Sequence, residues 1–257
     1  MSMSGKRALV TGGSAGLGAA CVRWLQAHDF HVVSLDRNPP ASTGNGQMSD
    51  ADASQYIQCD LSDRAQLDAA LGNIMAEGPF DLVVLNAGIS ATGRFEAISL
   101  NAHLDVLRVN TEAPMITAAR LLEAQALRPG AAMVFVSSLS HFTGYPGAAS
   151  YGASKDALAV FAKGMRKVAK ARGVSITVAF PGPLRTDHAE QHAPKGADAS
   201  KRMDPDKAAQ AILTGTISGR KTVIPGLPNR IFAILGRIAP KPVTALMRQL
   251  IYKRLAP

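Results

Sequence analysis

A chain of 257 residues, 47% of them hydrophobic and 18% charged, has the ordinary makeup of a soluble globular protein able to bury its core in one domain. Two cysteines (Cys21 and Cys59) give no disulfide framework, and six histidines in no ligand pattern give no metal site, so neither is expected. Residues 207–257 hold nine of the 28 basic residues and none of the 19 acidic ones, so the whole formal charge of +9 lies at the C-terminal end.

Residues 7–11 read as a short buried strand through Ala8, Leu9 and Val10 to Thr11, followed at once by Gly12-Gly13-Ser14-Ala15-Gly16-Leu17-Gly18 and a helix near 17–27. Strand, glycine turn and helix in that order make a dinucleotide site. Gly12 permits the tight turn, Gly16 lets the backbone approach a pyrophosphate, and Gly18 lets the helix pack close on the sheet. The helix N-terminus then offers free N–H groups to the phosphates. The next strand, 31–36, ends on Asp36 about twenty residues on, where an acid holds the ribose 2′-hydroxyl and repels a 2′-phosphate. That favours NAD over NADP, while the guanidinium of Arg37 pulls the other way.

Residues 39–54, rich in Pro, Ser, Gly and Asn, read as a surface loop. Strand and helix then alternate. Strands are predicted near 56–59, 82–86, 132–137, 175–180 and 221–224, and helices near 62–75, 101–127, 151–171 and 204–218. The pattern is an α/β fold with a doubly wound parallel sheet, Rossmann-like, of about seven strands. The domain is taken as residues 1–226, with 227–257 as a basic amphipathic extension.

Tyr151 and Lys155 stand at i and i+4 of a helix and so share one face. A free phenol titrates near roughly 10, and an adjacent cation favours the phenolate and brings that value toward working pH. Ser138, thirteen residues upstream, could hydrogen-bond a substrate oxygen, and Ser137 is its near competitor. Together these groups could move a proton to or from a hydroxyl or carbonyl.

The chain resembles the classical short-chain dehydrogenases/reductases from about residue 5 to about residue 225. The pattern Thr11-Gly12-x-x-x-Gly16-x-Gly18 is followed by Asp60-Leu61, Asn86-Ala87-Gly88, Asn110, Ser138, Tyr151-x-x-x-Lys155 and Pro181-Gly182-x-x-x-Thr186, in the family's order. The resemblance implies Tyr151 as general acid/base, with Lys155 lowering its pKa and holding the nicotinamide ribose. It implies Ser138 on the substrate oxygen and Asn110 binding a water that links Lys155 to solvent. Ser14 and Leu17 would line the phosphate turn, Asp60 and Leu61 the adenine, and Asn86, Ala87, Gly88 and Pro181 the rest of the cofactor, with Thr186 at the carboxamide. It further implies a homodimer or homotetramer through the helices holding 101–127 and 151–171, and a lid over substrate at 184–203.

The expected function is an NAD(P)-dependent oxidoreductase, NAD preferred, interconverting a secondary alcohol and a ketone (or an aldehyde and its alcohol) on a hydrophobic small molecule. The alternatives are an NADPH-dependent reductase of a lipid carbonyl at a membrane surface and a non-catalytic dinucleotide-sensing protein. Apolar residues at 231, 234, 235 and 238, and again at 243, 246, 247, 250 and 251, have helical spacing on two segments parted by Pro240 and Pro242. Three readings of 229–254 stay open: packing on the body or a neighbouring subunit, a peripheral membrane foot, or a wall for a greasy or anionic substrate. Nucleic acid is not expected, since no recognition module or aromatic platform accompanies the charge. Met1 to Lys6 is too short and polar for a signal peptide, and no run approaches the roughly 18 apolar residues of a membrane span, so a cytoplasmic place, with or without membrane contact, is expected.

Overall fold

The computed structural model describes residues 5–40, 54–192 and 198–250. Along the chain lie β1 (Lys6–Thr11), α1 (Gly16–Gln26), β2 (Phe30–Asp36), β3 (Ser54–Gln58), α2 (Arg64–Ala76), β4 (Phe80–Leu85), α3 (Leu100–Leu107), α4 (Ala113–Glu123), β5 (Leu127–Val136), α5 (Ser140–Thr143), α6 (Ala149–Ala171), β6 (Ser175–Ala179), α7 (Asp187–Gln191), α8 (Pro205–Ile217), β7 (Thr222–Val223), α9 (Leu227–Ile238) and α10 (Pro240–Leu250). The seven strands form one sheet in the order β3-β2-β1-β4-β5-β6-β7, every pair parallel. The expected loop at 39–54 lies almost wholly outside the described residues.

The strand residues divide between two faces with a period of two, as a sheet covered on both sides requires. Leu9, Val33, Leu35, Val83, Leu85, Met133, Phe135 and Val178 belong to a core shared with the buried sides of α2, α4 and α6. Ala8, Val10, Val32, Leu82, Val84, Val134 and Ala179 belong to a second core under α1 and α8. Phe80, Phe135 and Phe180 are fully buried, each adding about 2–3 kcal/mol of transfer free energy. The chain leaves β1 toward β2 on one side and reaches β4 on the other, so a crevice opens at the carboxyl ends of β1 and β4.

The helix expected over 101–127 is not one piece. It runs as α3, then a π-helical turn over Arg108–Glu112, then α4, and stops at Glu123. Gln125 adopts a left-handed conformation (φ 53°) that turns the chain, and Leu127 already pairs with Phe80 as the start of β5. The apolar run through 121–127 is common to helix and strand, and Pro129-Gly130 was the available sign that a helix could not continue.

Candidate functional site

The glycine turn is fixed from both sides by backbone and short side chains. The Gly12 N–H donates to the Leu35 carbonyl at 2.8 Å. Thr11 Oγ1 accepts from the Asn86 and Ala87 N–H groups at 3.1 Å each, and Asn86 Nδ2 donates to the Thr11 and Gly12 carbonyls. The two motifs at the ends of β1 and β4 are therefore one hydrogen-bonded unit. Gly12 takes φ 69°, and a Cβ there would lie 2.8 Å from Ala87 Cα. A Cβ on Gly18 would strike the Gly12 carbonyl oxygen, which is why α1 can start so close to the turn. Ala15, the N-cap of α1, brings no side-chain hydrogen bond to the first turn, leaving its N–H groups for an anion.

The carboxyl ends of β1 to β6 and the start of α6 meet at a cleft of about 1300 Å³. Its walls include Gly12, Gly16, Leu17, Asp36, Arg37, Asp60, Leu61, Asn86, Ala87, Gly88, Ser138, Tyr151, Lys155, Pro181 and Thr186. The motifs spread over 175 positions of sequence are thus brought to one surface. Asp36 closes β2 with Oδ2 on the Ser14 N–H at 3.0 Å and Oδ1 on the Asn38 N–H at 3.1 Å. Asp60 is held by Ser62, whose N–H and hydroxyl both donate to Oδ1. Thr186 Oγ1 caps α7 by accepting from the Ala189 N–H, and its Cγ2 would be 3.2 Å from a Cβ on Gly16, so it faces the glycine turn across the cleft.

Tyr151 and Lys155 project from α6 beneath this cleft. Lys155 is 3% exposed, and its Nζ donates to the Val136 carbonyl at 3.0 Å, 5.9 Å from the centre of the Tyr151 ring. Burial lowers the Lys155 pKa to about 8. Tyr151 differs from expectation: its phenol is raised above the ordinary value, burial first, with a hydrogen bond from Ser138 pulling the other way. The ammonium is turned to a backbone carbonyl, so here desolvation of the phenolate outweighs the lysine. Ser137 is excluded as the partner of Tyr151, because its hydroxyl is buried and donates to the Lys155 carbonyl at 2.8 Å. Ser138 lines the cleft with Tyr151 while also accepting from the Ser140 N–H at 3.2 Å.

Asn110 sits in the π-helical turn, fully buried. Its Nδ2 donates to the Ile89 carbonyl and to Ser154 Oγ, and its Oδ1 accepts from the Ile89 N–H at 2.8 Å. This side chain pins the segment after β4 to α6. A Cβ on Gly88 would lie 2.9 Å from Lys155 Nζ and 3.3 Å from Asn110 Oδ1, which makes this glycine the spacer of the site. One more expectation changes: Ser14 is off the cleft wall, its hydroxyl donating to the Asn38 carbonyl. Gly18 has the packing role expected of it.

Sequence reading passed over Tyr145, and placed His188, His192, Phe232 and Met247 only as parts of the lid and of the C-terminal stretch. Tyr145 meets Tyr151 edge to face, with centroids 5.8 Å apart at 87°. His188 and His192 contact each other at 4.7 Å, and His192 Nδ1 is 2.9 Å from Thr92 Oγ1. Burial lowers the His188 pKa to about 4, with His192 and Lys155 adding to the effect. Phe232 of α9 and Met247 of α10 complete the wall. Tyr145 had a local signal in its Gly144-Tyr145-Pro146 turn; Phe232 and Met247 lie in the stretch for which a substrate wall was one of three open readings.

A doubly wound parallel sheet with a bare-backbone turn at its crevice and a Tyr–Lys helix below it defines a Rossmann-like α/β protein with room for a dinucleotide. The model of the short chain dehydrogenase family matches residues 6–196, and the chain belongs to that family. An uncharacterized oxidoreductase of Myxococcus xanthus is 31% identical over 189 residues, 72% of this chain and 74% of that protein. A 3-oxoacyl-[acyl-carrier-protein] reductase of Salmonella typhimurium is 28% identical, covering 73% of this chain and 77% of its own. A short chain dehydrogenase from Burkholderia cenocepacia, solved in complex with NADP, superimposes with a TM-score of 0.77 at 22% identity, covering 96% of this chain and 99% of its own.

Proposed function

We propose that this protein is an NAD(P)-dependent oxidoreductase interconverting a secondary alcohol and a ketone, or an aldehyde and its alcohol, on a hydrophobic small molecule. The observation that carries this reading is the single cleft in which the Ser138–Tyr151 pair and Lys155 face the glycine turn. The bound nicotinamide would take or give the hydride; the protein supplies placement and the proton.

Tyr151 is the proton carrier. In oxidation its phenolate takes the hydroxyl proton, and in reduction its phenol gives one to the carbonyl oxygen. The Ser138 hydroxyl, on the same cleft wall as the phenol, steadies negative charge on the same substrate oxygen. Lys155 holds the ribose and offers the positive charge that the buried phenolate lacks. Asn110 acts through Lys155 and Gly88 as a positioning residue. The binding surface is shared by Gly12, Gly16, Leu17, Asp36, Arg37, Asp60, Leu61, Asn86, Ala87, Gly88, Pro181 and Thr186. Asp36 supports NAD, while Arg37 beside it and the NADP held by the Burkholderia relative support NADP. Both dinucleotides therefore enter the assay.

A panel of hydrophobic alcohols and ketones, followed by nicotinamide absorbance, tests the reading. Tyr151→Phe is expected to cut kcat by about 10²–10⁴ while leaving dinucleotide affinity within a factor of about two. Undiminished turnover in Tyr151→Phe refutes the mechanism. Tight dinucleotide binding with no turnover across the panel favours a dinucleotide-sensing protein instead.

A further inference from the structure

The charge and the exposed apolar surface of this molecule meet in α9 and α10. One side of α9 is spent on the body: Asn229 Nδ2 donates to the Pro225 carbonyl, Ala233 is 2% exposed, and a Cβ on Gly236 would strike the Phe142 carbonyl. At 100° per residue the opposite side carries Leu227, Ile231, Ile234, Leu235 and Ile238. These are 46–77% exposed, a continuous aliphatic stripe that nothing among the described residues covers. Arg230 and Arg237 flank it, and α10 adds exposed Lys241 and Arg248. A helix that only closes the body would turn its aliphatic side inward; this one turns glycine, alanine and asparagine inward and its isoleucines out.

We infer that this stripe docks the protein on an anionic phospholipid surface, with the aliphatic residues at the acyl boundary and the basic residues on the headgroups. Charge chooses the occupant. Residues 207–257 hold nine basic residues and no acidic one, so a second copy set against the same face would bring two strongly positive segments together. An anionic bilayer matches both the charge and the aliphatic composition. A second observation agrees: Phe232 on the edge of α9 and Met247 of α10 line the cleft. The helix that bears the stripe thus also walls the cleft, which suits a substrate delivered from the bilayer. This last clause rests on the proposed oxidoreductase reading; the docking does not.

Co-sedimentation of the full chain with phosphatidylglycerol/phosphatidylcholine vesicles, against phosphatidylcholine alone at about 0.15 M salt, tests it. The expected result is binding to the anionic vesicles only, weakened roughly tenfold or more in Ile234→Glu/Ile238→Glu. Arg237→Glu/Arg248→Glu, which leaves the stripe intact, is expected to weaken it as well. Melting temperature and dinucleotide affinity of each variant report that the body is folded. Tyr151→Phe is expected to bind vesicles like the parent, so loss of turnover and loss of docking stay distinguishable. Absence of vesicle binding overturns the inference, as does binding untouched by Ile234→Glu/Ile238→Glu. An oligomer that those two substitutions dissociate, in a chain that ignores vesicles, assigns the stripe to self-association instead.

Discussion

Lys155 carries a cost the sequence could not show. Its pKa stands at about 8 in the folded protein against 10.5 ordinarily, because burial disfavours the charged ammonium. Below about pH 8 both states hold the proton and the penalty is complete, about 3 kcal/mol. Between those two values the unfolded chain binds a proton the folded chain has released, so stability rises with pH across the window. Relative to Lys155→Met, the wild type is expected to gain about 3 kcal/mol from about pH 7 to about pH 11, read by urea titration of both proteins. A constant difference would mean the lysine is solvated. Asp36 poses the second question at this scale. Removing its charge in Asp36→Ser is expected to shift the ratio of NAD to NADP affinity toward NADP by about tenfold, about 1.4 kcal/mol, in a fluorescence titration. An unmoved ratio would take the cofactor choice away from β2.

At the scale of elements, the legible parts were those whose signal is local. Short apolar runs between helical stretches announced the seven strands, and the glycine turn after Thr11 announced the crevice. The π-helical turn at Asn110 was hidden, because its cause is a long-range pair of hydrogen bonds to the Ile89 backbone. The raised phenol of Tyr151 was hidden for a related reason: i, i+4 spacing places a lysine beside a tyrosine but does not say which way the ammonium turns. Glycines show the same divide. Gly72 lies exposed within α2 with open space around its missing Cβ, so Gly72→Ala is expected to stabilise by about 0.5–1 kcal/mol. Gly18→Ala meets the Gly12 backbone, which cannot step aside, and is expected to cost about 2–3 kcal/mol together with most of the dinucleotide affinity. Denaturant melts and cofactor titration of the two variants distinguish packing glycine from idle glycine.

For the whole molecule, two of the exposed apolar regions among the described residues ask for partners, and their chemistry separates them. The stripe on α9 is embedded in positive charge. The other region spans α3 and α6, with Leu104, Leu107, Val160 and Val168 at 38–65% exposure, and it is not uniformly basic. Arg108 and Asp105 pair across one turn beside it, so charges there are balanced locally. A face of this kind tolerates its own image, which a two-fold assembly requires. We expect self-association through α3, α4 and α6, with Val160 near the contact. Val160→Glu buries a carboxylate against an apolar neighbour in the assembly and costs nothing in the free chain, where the site is 65% exposed. Sedimentation velocity is expected to show the variant as a smaller species than the parent at equal concentration, with an unchanged melting transition for the isolated subunit. If Val160→Glu sediments as the parent does while Ile234→Glu/Ile238→Glu dissociates, the two faces exchange roles, and the positive segment, not the α3–α6 surface, holds the copies together.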